Sequence, residues 1–283
     1  MQNLLEANYQ NPDFKVEDYA QNLQLSQTRF YRKLKALTNQ TFLKMSISIS
    51  FWEQKTYLKK VDYIIIGSGI VGLNAAIRLK EIAPKSSVLL LERAAIPQGA
   101  STKNAGFACF GSPTELLEDL ESHSEAEVWN LVEQRWKGLQ KLRAKVGDQA
   151  IDYQHYNGYE LFRPNEQTIF EQCLEKLPKF NRAFLQITGK NDTFKVSDEN
   201  IQSFGFQKIK HLIESQLEGQ LHPAKMIQAL QQLAQSAGVE MRYGIEVEQL
   251  ENHQDIIEVH CKNGWKFKSE KALLTVNGFV KRF

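Results

Sequence analysis

Two kinds of hydrophobic pattern alternate along most of the chain. Tyr63 to Ile66 and Val88 to Leu91 are short unbroken apolar runs, which suit strands buried on both faces of a parallel sheet. Between them Leu73, Ala76, Ile77 and Leu79 recur at helical spacing until Pro84 and Lys85, so the stretch reads strand–helix–strand. Further on, Leu116, Leu117 and Leu120, then after a break Val128, Leu131, Trp136, Leu139 and Leu142, predict helix over most of residues 112–146, opened by Ser112 and Pro113. Residues 153–163 read as a hairpin. Met226, Leu230 and Leu233 predict a helix that starts at Pro223 and stops at Gly238. Strands follow over residues 239–243 and 244–251, then a hairpin over 256–268, then a parallel-sheet strand over 271–279. Strands alternating with helices in this way predict an α/β fold.

The turn after the first strand adds chemistry. Gly67, Gly69 and Gly72 stand in G-x-G-x-x-G spacing. The first allows a sharp turn, the second lets backbone approach a pyrophosphate, and the third lets helix lie close on strand. The helix N-terminus at Ile70 and Val71 offers N–H groups and partial positive charge to phosphate. Glu92 closes the second strand 20 residues after Gly72, beside Arg93, where a carboxylate can hydrogen-bond ribose hydroxyls. Together these features predict a dinucleotide site. The turn alone does not choose between FAD and NAD.

Composition bounds the rest. A chain of 283 residues suggests about two domains. With 42% hydrophobic and 24% charged residues it is globular in class, and a net charge of +2 excludes a nucleic-acid-coating protein. Cys109, Cys173 and Cys261 are too widely spaced for a metal-ligand pair or a disulfide framework, which points to a reducing, cytoplasmic setting and no metal. No apolar run approaches the ~18 residues that a membrane span needs.

The first 45 residues carry a different pattern. Val16, Ala20 and Leu23, then Phe30, Leu34 and Leu37, mark two short helices around a tight turn, with Ser26 as N-cap of the second. Arg29, Arg32 and Lys33 line the opposite face, and no carboxylate occurs between Asp18 and Glu53. A basic helix behind a turn fits a major groove. The stretch, including the RKLKALT segment from Arg32 to Thr38, resembles the first helix-turn-helix of AraC/XylS-type regulators. That resemblance implies weak, salt-dependent DNA binding, since members carry two such motifs and only one is present. Residues 46–60 form a junction in which Trp52, Tyr57 and Leu58 are expected to pack as a short helix against the next domain.

Residues 99–106 (GASTKNAG) are rich in small side chains, which lets a loop run close to a ligand. With the glycine turn, this stretch resembles the D-amino-acid oxidase/glycine oxidase (DAO) family, in which an S-x-x-N-x-G run passes the FAD pyrophosphate and flavin ring. The likeness extends from Val61 to the end of the chain. It implies FAD as cofactor, held by Gly67, Gly69, Ile70, Val71, Gly72, Glu92, Arg93, Ser101, Thr102, Asn104, Ala105 and Gly106. Val247 would lie near the adenine, and Gly278 would follow the last sheet strand. Tyr159 and Arg163 are candidates for a substrate carboxylate, because arginine pairs with carboxylates in bidentate fashion.

The implied fold is a Rossmann-like FAD/NAD(P)-binding domain over residues 61–150 and 220–283, an inserted α+β substrate domain over 151–219, and an all-α helix-turn-helix over 1–45. The implied function is oxidation of an amine or amino acid by hydride transfer from its α-carbon to flavin, with no side-chain base assigned. Relatives continue beyond the point that Phe283 matches, so impaired turnover is expected. Two alternatives stand beside this: a DNA-binding regulator with a flavin domain as sensor, and an inactive fusion of two gene fragments.

Overall fold

A computed structural model describes residues 16–38 and 50–282. The expected boundary at Met45 and the first part of the junction lie outside the described residues, as do the Leu34 and Leu37 side chains. The chain forms two units, residues 1–60 and 61–283.

In the first unit α1 (Val16–Asn22) and α2 (Gln27–Thr38) are joined by a tight turn in which Gln24 takes a left-handed φ of 52°. Tyr19, Ala20 and Phe30 are buried between them, with the Tyr19 and Phe30 rings 6.1 Å apart. The Arg29 N–H donates to Ser26 Oγ, the N-cap arrangement that the sequence predicts. A further helix, α3 (Phe51–Tyr57), opens on a capping box between Ser50 and Glu53 and buries none of its residues.

The second unit begins with β1 (Val61–Ile66), α4 (Ile70–Ile82), β2 (Val88–Glu92) and the two-residue β3 (Phe107–Ala108). Next come α5 (Pro113–Ser122), α6 (Glu125–Val146), the short α7 (Asp148–Ile151), β4 (Gly158–Phe162), α8 (Gln167–Thr188), β5 (Phe194–Val196), α9 (Asn200–Ser203), β6 (His211–Ser215) and β7 (Gly219–Gln220). It closes with α10 (Pro223–Ser236), β8 (Glu240–Tyr243), β9 (Val247–His253), β10 (Ile256–Cys261) and β11 (Lys266–Leu274).

The main sheet has the order β8-β2-β1-β11-β10-β9. Its first four strands run parallel, and β10 and β9 add on as an antiparallel meander. The apolar runs of β1 and β2 sit at its centre, and every residue of β2 is buried. Asp62 and Ser87 fix their register: the Asp62 N–H donates to Ser87 Oγ, while the Ser87 N–H and hydroxyl both donate to Asp62 Oδ2. One face packs on α4 and α10 through Leu73, Ala76, Ile77, Met226, Ile227 and Leu230. Each buried side chain of this size contributes about 1.5–3 kcal/mol.

A second core lies under α8, where Phe170, Phe180 and Phe184 meet Phe110, Val128, Phe162, Phe194 and Ile213. The three-stranded antiparallel sheet β4-β6-β5 forms one wall of it. Helix α6 serves both cores, with Val128 and Val132 in the second and Val146 against the first.

Two strand expectations are corrected. Residues 153–163 are not a hairpin: Asp152 and Asn157 take left-handed φ values of 53° and 63°, Gln154 bridges to Gln220, and β4 pairs with β6 instead. The hairpin expected over residues 256–268 is present as β10 and β11, but the strand expected over 271–279 is not a separate one. One strand, β11, pairs antiparallel with β10 over its first half and parallel with β1 from Ser269 onward. Among the described residues no helix is long and apolar enough to cross a membrane.

Candidate cofactor site

A cavity of about 550 Å³ opens at the carboxyl ends of β1, β2 and β11, the place where open α/β sheets bind ligands. Its walls are the glycine turn and first turn of α4, the Glu92–Arg93 tip of β2, residues 97–102, residues 245–247, residues 274–277 and Phe279.

Steric necessity fixes the turn. Gly67 has a φ of 106°, and a Cβ there would come 2.7 Å from the Thr275 carbonyl oxygen. A Cβ on Gly72 would overlap the Gly67 carbonyl oxygen and come 2.7 Å from Thr275 Oγ1. One on Gly69 would fall 3.0 Å from Ser101 Oγ, so the backbone there is open only to the loop and the cavity. The Ile70 N–H donates to Ser101 Oγ at 3.0 Å. Among the described residues nothing accepts from the N–H groups of Gly69, Val71 or Gly72, which leaves the helix terminus its donors and partial positive charge.

Glu92 is buried and bound on both oxygens. Ser68 donates its N–H and hydroxyl to Oε2 at 3.0 and 2.8 Å, and the Ala94 N–H donates to Oε1 at 3.1 Å. Arg93 is the only cationic residue in the lining among those described, and its guanidinium stands 4.9 Å from the Phe279 ring centroid.

The structure therefore brings Gly67, Gly69, Ile70, Val71, Glu92, Arg93, Ser101, Thr102 and Val247 to one cavity. Gly72 stands behind them as packing. Asn104, Ala105 and Gly106 do not line it. The Asn104 amide donates to the Ala100 and Ser101 carbonyls, and its Oδ1 accepts from the Gly106 N–H, so this part shapes the loop from outside. Gly278 lies in a 3-10 turn between Asn277 and Phe279, which do line the cavity. Tyr159 and Arg163 lie away from the lining. The Tyr159 ring packs on Phe204 at 4.9 Å, and Arg163 is exposed. Arg29, Arg32 and Lys33 are exposed on α2.

Sequence reasoning passed over Ser68 and Thr275. The Thr275 hydroxyl reaches the Ile66 and Gly67 carbonyls at 2.8 and 3.0 Å and ties the end of β11 to the glycine turn. A hydroxyl residue straight after an apolar strand was the available signal. Glu251, Glu258 and His260 also come within 4.8 Å of one another, but Lys266 and Lys268 pair with Glu258 at 3.0 and 3.4 Å and make this an ion network on the sheet surface. All three cysteines are free, and burial pushes the Cys173 and Cys261 thiols up to about 12, so neither is a nucleophile.

The donor set fits a dinucleotide diphosphate: free N–H groups and one arginine for negative charge, small residues where backbone must come close, and apolar walls from Ile245 and Val247. Residues 62–283 match the model of a family described as FAD dependent oxidoreductase, DAO. The chain belongs to the DAO family. FAD is the cofactor of that family. Among solved structures, glycine oxidase from Geobacillus kaustophilus is similar at 18% identity and a TM-score of 0.53, covering 79% of this chain and 57% of that one. L-amino acid deaminase from Proteus vulgaris is similar at 18% identity and a TM-score of 0.53, covering 76% and 47%. Iminodiacetate oxidase from Chelativorans sp. BNC1 is similar at 17% identity and a TM-score of 0.55, covering 75% and 54%. At these identities the likeness is one of fold. The DAO chain described here spans about half the length of these solved proteins. No curated protein matches it in sequence.

The contact between Ser101 and α4 gives a direct expectation. Ser101→Ala leaves the Ile70 N–H without its acceptor and is expected to lower stability by about 1 kcal/mol. Urea unfolding of the cofactor-free chain measures it, and an unchanged midpoint would show that the loop is not held there.

Proposed function

We propose that residues 61–283 bind FAD in this cavity and serve the oxidation of an amine or amino acid. The observation that carries the reading is the convergence of the glycine turn, Glu92, Arg93 and the Ser101 loop on one cavity at the strand ends of a DAO-family fold. Bound FAD would supply the two-electron acceptor for a C–N bond that becomes an imine. The chain's own residues have three tasks. The first turn of α4 and Arg93 would take the pyrophosphate, Glu92 and Val247 the adenosine, and residues 99–102 would close the site against water. Glu92 keeps one lone pair, on Oε1, for a ribose hydroxyl beside the three bonds that it accepts. Tyr159 and Arg163 remain candidates for the substrate carboxylate, and no base is assigned.

Anaerobic mixing of the FAD-loaded chain with glycine, D-amino acids, L-amino acids and simple amines tests the reaction. Bleaching of the flavin absorption by one of these classes is expected. Retained flavin that none of them bleaches would contradict the substrate assignment while leaving the cofactor site standing.

A second reading concerns the first unit alone. The exposed cations Arg29, Arg32 and Lys33 on α2, over a core of Tyr19 and Phe30, suit an AraC/XylS-like helix-turn-helix on duplex DNA. Fluorescence anisotropy with labelled duplex at low salt would rise and then fall as salt is added. No rise at low salt would end that reading.

A further inference from the structure

Away from the cavity, a carboxyl group lies between the two cores with no visible duty. Glu218 follows β6 in the turn that leads into β7. Its side chain crosses Gly158 so closely that a Cβ there would overlap Glu218 Oε2, and its Oε1 is buried without a hydrogen-bond partner among the described residues. The groups facing it come from every neighbouring element. Glu115 on α5 and Glu160 on β4 raise it, while the Ser215 hydroxyl on β6 and the Phe110 N–H lower it. Cys109, whose thiol is itself raised by burial, feels Glu218, Glu115 and the cation of Arg135 on α6. Burial raises the Glu160 carboxyl as well, against the Ser112 and Thr114 hydroxyls and the Thr114 N–H that donate to it.

The position of this group connects it to the cofactor loop. Glu218 is followed directly by β7, which pairs with β3 through Gly219 opposite Ala108 and Gln220 opposite Phe107. The next N–H, that of Leu221, donates to the Gly106 carbonyl at 2.8 Å, and the Gly106 N–H is held by Asn104. Gly106 ends the loop whose Ser101 rests on the α4 terminus.

We propose that Glu218 is a proton-operated latch on the cofactor loop. Protonated, the carboxyl stays folded over Gly158 and holds β7 against β3. Ionised, it is repelled by Glu160 and Glu115, swings from its half-buried position further into water, and loosens the β3–β7 pair together with the Leu221–Gly106 bond.

Burial and the two neighbouring carboxylates push the Glu218 carboxyl up to about 7 from the ordinary 4.5. The closed form thus holds a proton that the open form has lost, so closure weakens as pH climbs from 4.5 to about 7 and changes little above that.

Hydrogen exchange of the Leu221 N–H in the cofactor-free chain tests the latch. After correction for base catalysis, local opening is expected to rise about tenfold between pH 6 and 8 and then level off. Glu218→Gln, which cannot ionise, should hold the opening constant over the same range. Glu160→Gln, which removes one neighbouring charge, should move the levelling point of the otherwise wild-type chain to lower pH. A pH-independent opening in the wild type, or an identical rise in Glu218→Gln, would overturn the proposal. Because this measurement needs no cofactor, it stands or falls apart from the FAD assignment. In the FAD-loaded chain the rate of flavin release should follow the same pH profile, and a release rate that ignores pH would overturn the link from latch to loop.

Discussion

Gly72→Ala is expected to unfold the cofactor site. The added methyl would overlap the Gly67 carbonyl oxygen and stand 2.7 Å from Thr275 Oγ1, and neither can retreat. Gly67 is fixed by its left-handed φ and by its N–H bond to Leu91, while Thr275 is bonded to Ile66 through both its N–H and its hydroxyl. Relief would require α4 to move off β1, and with it the contacts of Leu73, Ala76 and Ile77. Overpacking against rigid backbone costs about 3 kcal/mol or more, or roughly 6–12 °C in melting temperature for a unit of this size. Thermal melts of the cofactor-free variant measure this directly. A melting temperature within about 2 °C of wild type would mean that the turn relaxes freely and that the close packing is not its determinant.

The second large effect is expected at Glu92, for a reason that the ribose role alone does not supply. Its three protein partners, the Ser68 N–H, the Ser68 hydroxyl and the Ala94 N–H, are all donors. An ionised carboxylate accepts on both oxygens, whereas an amide presents a donor to one of these groups. Glu92→Ala is therefore expected to cost about 3 kcal/mol in the cofactor-free chain, and even the near-isosteric Glu92→Gln about 1–2 kcal/mol. Urea unfolding of both variants without FAD separates the two roles. If Glu92 served only the ribose, neither variant would lose stability until FAD was added.

The readable and unreadable parts of this fold differ in the sequence distance of the contacts that define them. The glycine turn is local: Gly67, Gly69 and Gly72 answer to steric demands within one strand–turn–helix, and Glu92 terminates the very next strand. The central strands were equally plain, because burial on both faces leaves an unbroken apolar run. Thr275 is different. Its bond to the Gly67 carbonyl spans 208 residues, and nothing near it in sequence says where its hydroxyl will point. The misread hairpin at residues 153–163 has the same cause, since alternation predicts a strand but not its partner, and the partner of β4 lies beyond α8 in β6. In β11 the gap expected between the hairpin ending at Lys268 and the strand starting at Lys271 is filled by continuous strand, and the charged residues Lys268, Glu270 and Lys271 do not interrupt it. They mark where the strand passes from an antiparallel neighbour to a parallel one. The carboxyl cluster of Glu115, Glu160 and Glu218 was invisible for this reason as well, being assembled from a helix, a strand and a turn.

The most direct test is the visible absorption spectrum of the purified chain after incubation with FAD and removal of the excess. Retained flavin absorption near one equivalent is expected in the wild type, with loss of most of it in Gly72→Ala. A wild-type protein that emerges colourless, while its melting curve shows a folded second unit, would contradict the assignment of this cavity to FAD.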